Sequence, residues 1–275
     1  SLINGEEVAL PKFDFSSKPK AILPFHKYEN HVATPIFEHF KEAVNYANSS
    51  NEVKIHFTVS EEHLENFKEI VEQILPQFEE KNQVKINVEF SFQDVSTNTI
   101  AVTQEDRPLR CTNGKLIFRP GGHGALIQNL NQLDSDIVFI KNIDNVLQNH
   151  IEETTLYKKS LAGLLLKLQN KIFEFLKEVE SNDYTTESLN SMLEYLESKL
   201  HLKTPKEIIE LSDSNKANYL FQLLNRPIRV GGMVVNEGEP GGGPFWVSDK
   251  NGNISLQIVE SSQVDRLNVA QQEIF

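Results

Sequence analysis

Apolar side chains set the first elements. Ile36, Phe37, Phe40, Val44 and Ala47 recur on one helical face, and Thr34-Pro35 ahead of them supplies a hydroxyl N-cap and a proline in the first turn. The stretch from Val53 to Val59 predicts a strand. Ser60 is placed to cap a second helix carried by Leu64, Phe67, Val71, Ile74 and Leu75, expected to end before Pro76. Val84, Ile86, Val88 and Phe90 alternate with Lys85, Asn87 and Glu89, the pattern of a strand with one wet face. Leu116 to Phe118 predicts a short strand entering a Gly-rich loop, and a helix follows from Ala125 to Leu133. The unbroken apolar run Ile137 to Ile140 has the character of a buried parallel strand. This alternation predicts a layered α/β sheet over residues 1–151.

The texture then changes. Leu161, Leu164, Leu165, Leu168, Ile172, Phe175, Leu176 and Val179 form a long helical stripe, with shorter helices expected around Leu189–Leu200, Pro205–Leu211 and Ala217–Leu224. Residues 152–226 therefore read as a helical insertion or subdomain. After Pro227 β character returns, at Ile228–Val235, Phe245–Val247 and Ile254–Val259, so residues 227–275 are expected to rejoin the core sheet.

Charge narrows the range of ligands. The 275 residues carry 39 acidic against 27 basic side chains, a formal charge of −12. Coating a nucleic acid depends on neutralising many phosphates with Lys and Arg, so the balance excludes that role while leaving room for a single nucleotide. One cysteine, Cys111, excludes an internal disulfide framework and a thiolate-rich zinc site. The apolar stretch Leu161–Leu166 is far short of the ~20 residues a membrane helix needs. The N-terminal SLINGEEVAL has neither the cationic leader nor the apolar core of a signal peptide, and a cytoplasmic setting is expected.

Four places carry candidate chemistry. Lys18 and Lys20 flank a proline ahead of an apolar segment, where an ammonium can meet an anionic ligand; the alternative is a solvated basic pair. Arg119-Pro120-Gly121-Gly122-His123-Gly124 lies between a short strand and a helix. Its glycines allow backbone N–H groups to approach a ligand, or simply make a tight turn. Asn142-Ile143-Asp144-Asn145 follows the apolar run directly. Asp144 is there a candidate Mg²⁺ ligand, since Mg²⁺ keeps several waters and uses few protein carboxylates; the alternative is an Asx turn. Glu237 and Glu239, in the run Asn236–Trp246, would share a strand face and pair as carboxylates for acid/base work, unless the glycines around them form only a hairpin loop. H-E-x-x-H, G-x-S-x-G and Cys/His constellations are missing from the sequence.

The segments KPKAILPFH (18–26), RPGGHGALIQNL (119–130), FIKNIDNV (139–146) and NEGEPGGGPFWV (236–247) together closely resemble the uncharacterised domain-of-unknown-function family 4301. More remotely, the first three resemble motifs of the UDP-sugar pyrophosphorylases. That resemblance implies the nucleotide-diphospho-sugar transferase fold, a Rossmann-like mixed sheet with helices on both faces, here with a helical insertion. It implies that Lys20, in Pro19-Lys20-Ala21-Ile22, contacts phosphate, and that Gly122-His123-Gly124, with Gly121, lines the base. It further implies that Asp144, in Asn142-Ile143-Asp144-Asn145, binds Mg²⁺. Lys18 and Arg119 are further candidate phosphate partners. Ala125 stands where the related enzymes have an acidic residue, and no Gly-rich phosphate loop precedes Lys18, so a core without its first nucleotide-binding element is expected.

These readings lead to a Mg²⁺-dependent nucleotidyltransferase-like protein whose partners are a nucleotide or nucleotide-sugar and a phosphorylated small molecule such as a sugar 1-phosphate. A catalytically inactive nucleotide-sugar binding or regulatory protein of the same fold stands as the alternative. Neither nucleic acid nor membrane is expected as a partner.

Overall fold

The structure, a computed structural model, describes residues 18–235, 237, 238, 241–250 and 252–275. They divide into two units, one ending at Lys158 and one running from Lys159 to Phe275.

In the first unit, strands β1 (His26–Lys27) and β2 (Val32–Ala33) pair antiparallel. Helix α1 (Pro35–Tyr46) starts as expected: Thr34 Oγ1 accepts a hydrogen bond from the Phe37 N–H at 3.4 Å, with Pro35 at the first helical position. The β1–β2 pair is tied to this helix through Glu38, which is fully buried and accepts from the Tyr28 hydroxyl at 2.6 Å and pairs with His26 Nδ1 at 2.8 Å. Strands β3 (Asn48–Ser49) and β4 (Glu52–Thr58) are antiparallel, whereas β4 and β5 (Lys85–Ser91) are parallel, in register from Glu52↔Lys85 to Thr58↔Ser91. Helix α2 (Leu64–Asn82) makes the crossover between them.

Ile36 and Phe40 of α1, Val53 and Phe57 of β4, Phe67, Val71 and Phe78 of α2, and Ile86 of β5 form one apolar core. By strand alternation, Lys54, His56, Asn87 and Glu89 fall on the opposite face. Helices α1 and α2 therefore share a face; on the other, Ser91 Oγ at the end of β5 pairs with His56 Nε2 and accepts from Asn129 Nδ2. Helix α2 also runs through Pro76, where the sequence predicted its end. The proline removes one donor, but Phe78 beyond it is buried in the core, and that burial holds the last turns in place.

Strands β6 (Thr99–Ile100) and β7 (Phe118–Arg119) pair antiparallel, and the short helix α3 (Ile127–Asn131) follows. Residues 137–140 form no strand. Val138 and Ile140 point to solvent, at 38% and 73% exposure, while Phe139 turns inward against Tyr46 at 4.9 Å between ring centres. An apolar run alone does not make a buried strand: it needs a paired neighbour on each side, and this one has a helix against Phe139 instead.

In the second unit, α4 (Ile151–Glu180, its first residues lying in the first unit) leads to α5 (Thr186–Leu200), opened by a capping box between Thr185 and Ser188. Strand β8 (Leu202–Lys203), helix α6 (Lys206–Ile209) and helix α7 (Asp213–Leu224) follow. Ile172, Phe175, Val179, Leu189, Met192, Leu196 and Leu220 make its core. Strands β9 (Gly242–Ser248) and β10 (Ile254–Glu260) form a hairpin that pairs with β8 in the order β8-β10-β9, and helix α8 (Val269–Ile274) closes the chain. Thus the stretch after Pro227 joins a small sheet of its own with β8, not the sheet of the first unit. Residues 228–235 form no strand; Val234 and Val235 are about nine-tenths exposed, at 91% and 88%. The protein is a mixed α/β chain of small sheets, with parallel pairing among the described strands confined to β4–β5; a Rossmann-like sheet is not confirmed.

Candidate functional site

Lys20 occupies a single 3-10 turn, Lys20–Ile22, fixed by the Leu23 N–H donating to the Lys20 carbonyl at 3.2 Å and by the burial of Ala21 in the core. The backbone is held while the long side chain stays mostly in solvent. Asp144 lies in a turn closed by the Asn145 N–H donating to the Asn142 carbonyl at 3.1 Å. Lys20 Nζ donates to Asp144 Oδ2 at 2.7 Å. The Lys20 ammonium, and then the residue's own backbone N–H, hold the Asp144 carboxyl below its usual range, so it is anionic at neutral pH.

The segment carrying Asp144 is attached to α1 by alternate residues. Phe139 meets Tyr46, the Lys141 ammonium donates to Glu42 Oε2, and the Ile143 carbonyl lies 3.0 Å from His39 Nε2. These helix positions, 46, 42 and 39, descend one face of α1 as the segment runs past it. The same Glu42 oxygen accepts from Lys158 Nζ at 2.8 Å and from the Tyr46 hydroxyl at 2.8 Å. Burial alone would raise the Glu42 carboxyl, but the two ammoniums outweigh it and hold it low. Burial pushes the Lys141 ammonium down to about 8, against the opposing pull of Glu42. Burial likewise lowers His39, whose ring edge meets Phe57 near the carboxyl end of β4. The Asp144 turn thereby lies toward the carboxyl ends of the parallel strands, the end at which open α/β sheets hold ligands.

The helix after the glycine loop is anchored at the end of β5. Asn129 in α3 is buried and its Nδ2 donates to Ser91 Oγ at 2.7 Å and to the Phe92 carbonyl at 2.8 Å. Gly121 is a packing requirement, since a Cβ there would lie 2.9 Å from the Thr97 carbonyl oxygen and 3.1 Å from Ala125 Cβ. Around Gly122 and Gly124, by contrast, a Cβ would meet nothing within 4 Å. His123 is exposed at the start of the turn His123–Leu126.

The structure thus brings Lys20 to Asp144, packs Gly121 against Thr97, and ties α3 to the end of β5 through Asn129. Lys18, Asn142 and Asn145 are exposed, and Arg119 is exposed on β7 with its carbonyl 3.5 Å from Thr99 Oγ1. Glu237 is exposed, and Glu239, the other member of the expected carboxylate pair, lies outside the described residues. Among the described residues no group of three or more His, Cys, Asp or Glu side chains converges as a metal cage. The sequence reading missed Glu42, Lys141 and Lys158. A signal was present: Lys141 closes an otherwise apolar run, and a cation there calls for a buried partner.

A family model described as a domain of unknown function (DUF4301) matches residues 7–275. The chain belongs to the DUF4301 family. Within this DUF4301 chain the match takes in all four of the segments singled out above. No curated protein and no solved structure matches. No helix among the described residues is long and apolar enough to cross a membrane.

Proposed function

We propose that this DUF4301 protein is a Mg²⁺-dependent nucleotidyltransferase-like protein acting on a sugar 1-phosphate or a similar phosphorylated acceptor. The underlying sheet is proposed to be Rossmann-like, with β4–α2–β5 as one of its parallel units. The observation that carries this reading is the 2.7 Å pair of Lys20 and Asp144. The resemblance to UDP-sugar pyrophosphorylases requires a phosphate lysine and a metal aspartate in one place, and these are the two residues it names.

The donor set suits Mg²⁺ that arrives with a nucleotide. Asp144 is anionic and its side chain is 39% exposed, so a hydrated cation can reach it. When bound, Mg²⁺ would neutralise charge on the phosphates. Lys20 would exchange its carboxylate partner for a phosphate oxygen. The backbone at Gly122 to Gly124 would face the base and Arg119 or Lys18 a further phosphate. In the reaction an acceptor phosphate oxygen bonds to the α-phosphorus of a nucleoside triphosphate, and the bond to the departing pyrophosphate breaks. Such chemistry needs positioning and charge neutralisation, not a nucleophilic side chain.

The alternative, a protein that binds a nucleotide-sugar without turning it over, is favoured by Ala125. Its Cβ packs toward Gly121, where the related enzymes carry an acidic side chain. Pyrophosphate release across a panel of nucleoside triphosphates and sugar phosphates, with binding followed by calorimetry, separates the readings. Mg²⁺-dependent release that disappears in Asp144→Ala supports the transferase. Binding without release supports the alternative, and silence in both assays rejects both.

A further inference from the structure

The candidate site depends on a segment that forms no strand, so something other than a ladder must fix it. Phe139 to Ile143 makes no sheet pairing, and Val138 and Ile140 face solvent. The Ile143 side chain packs against the core of the first unit, and three further contacts reach α1, of which the Lys141–Glu42 pair is the charged one: the two side chains are 15% and 11% exposed. Glu42 is itself fixed from the other side by Lys158 and the Tyr46 hydroxyl. A largely buried ion pair whose carboxylate oxygen Oε2 is shared with Lys158 and Tyr46 is geometrically exacting, because shifting Lys141 leaves its ammonium without a partner in a site with little water.

We propose that Glu42 and Lys141 are positioning residues, a buried ion pair that clamps the segment onto α1 so that Asp144 stands against Lys20. Asp144 follows Lys141 by three residues, and the intervening Ile143 carbonyl is registered on His39. The clamp thus sets the backbone of the turn while leaving the Asp144 carboxylate exposed to a ligand. Releasing it lets the turn sample positions in which Asp144 leaves Lys20. A ligand that needs both residues then binds only the fraction of molecules in which they meet, and its apparent affinity falls by that fraction. This last consequence rests on the nucleotide-binding reading of the site; the clamp itself does not.

The test compares wild type with Lys141→Gln and Lys141→Arg in the full chain. Lys141→Gln is preferred to a change at Glu42, because Glu42 keeps Lys158 and Tyr46 and the core retains a compensated charge. Amide hydrogen exchange is followed over residues 142–146, with α2 as the internal reference. The expected result is about tenfold faster exchange of 142–146 in Lys141→Gln, with α2 unchanged. In Lys141→Arg, which restores the charge, exchange returns toward wild type. UTP with Mg²⁺, followed by calorimetry and turnover, should bind Lys141→Gln more weakly, in proportion to the loss of molecules in which Asp144 and Lys20 meet, with the rate at saturation retained. Unchanged exchange in 142–146, or acceleration shared equally by α2, overturns the clamp. If Lys141→Gln fails to fold, Lys141→Met, which also leaves the Lys158–Glu42 pair in place, supplies the same comparison. Wild type that binds no UTP defeats the nucleotide reading alone, and the exchange data still decide the clamp.

Discussion

Lys20 and Asp144 are 124 positions apart in the chain and 2.7 Å apart in space. An ion pair this exposed adds little to stability, at most about 1 kcal/mol, since each partner is well solvated when alone. Its formation across that separation has more bearing on ligand chemistry than on folding. Asp144→Asn is therefore expected to shift the thermal midpoint by no more than a few degrees while abolishing Mg²⁺-dependent nucleotide binding. Paired calorimetry and thermal denaturation make the check. A large loss of stability with binding intact would make the pair a structural device.

The Glu42 network gives a pH signature. Lys141 titrates at about 8 in the folded protein, against ~10.4 in an unfolded chain. Between these values the unfolded state binds the proton and the folded state does not, so stability rises with pH. The cost of the buried ammonium is fully present below about 8 and is relieved above it. The raised hydroxyls of Tyr28 and Tyr46, held up first by burial, act in the opposite sense above ~10, leaving pH 8 to 10 as the informative window. Glu42 is depressed, so its contribution holds above ~4.3 and is lost as the pH falls below that value. Denaturant titrations at stepped pH should show an alkaline rise in wild type that is missing in Lys141→Gln. A rise of equal size in the variant would assign it to other groups.

Tyr28 is the third case. Its hydroxyl donates to Glu38 at 2.6 Å, and Glu38 is fully buried with His26 as the other close partner. Tyr28→Phe removes one donor from a buried carboxylate and should cost about 1–3 kcal/mol, read as a lower denaturation midpoint with an unchanged denaturant slope. A neutral result would mean that Lys41, 3.8 Å from Glu38, moves in to replace the lost bond.

The parts that were legible in the sequence are those where one chain segment decides its own fate. The stripe Ile36, Phe37, Phe40 and Val44 and the cap at Thr34 specify α1 locally, and the alternation from Val84 to Phe90 specifies β5 and its wet face. The errors fall where a distant partner decides. Ile137 to Ile140 is apolar enough for a buried strand, yet no strand pairs with it: Phe139 packs on α1 while Val138 and Ile140 face solvent. Ile228 to Val235 has β-branched side chains but no ladder to join. At the site, Lys20 and Asp144 were legible as residue types in recognisable motifs. Glu42 was not, because a carboxylate on an amphipathic helix reads as solvated until the lysine that buries it comes from about a hundred residues away, at Lys141, in the folded chain.

The glycine loop separates packing from recognition. Gly121 has no room: a methyl group there would press on the Thr97 carbonyl oxygen at 2.9 Å, a backbone atom that cannot turn aside. Gly121→Ala is thus expected to cost about 1–3 kcal/mol, through a shift of the loop or of residues 95–97, whatever the loop binds. Gly122 and Gly124 have space for a methyl group in the folded chain, so alanine at either should leave stability within about 0.5 kcal/mol. If their bare backbone exists to let a base approach, those same two substitutions should weaken nucleotide binding. Thermal denaturation and calorimetry on the three variants therefore give opposite patterns for the two roles. Loss of binding in Gly122→Ala and Gly124→Ala at wild-type stability marks a recognition loop. Wild-type binding in both reduces the cluster to the one glycine that Thr97 requires.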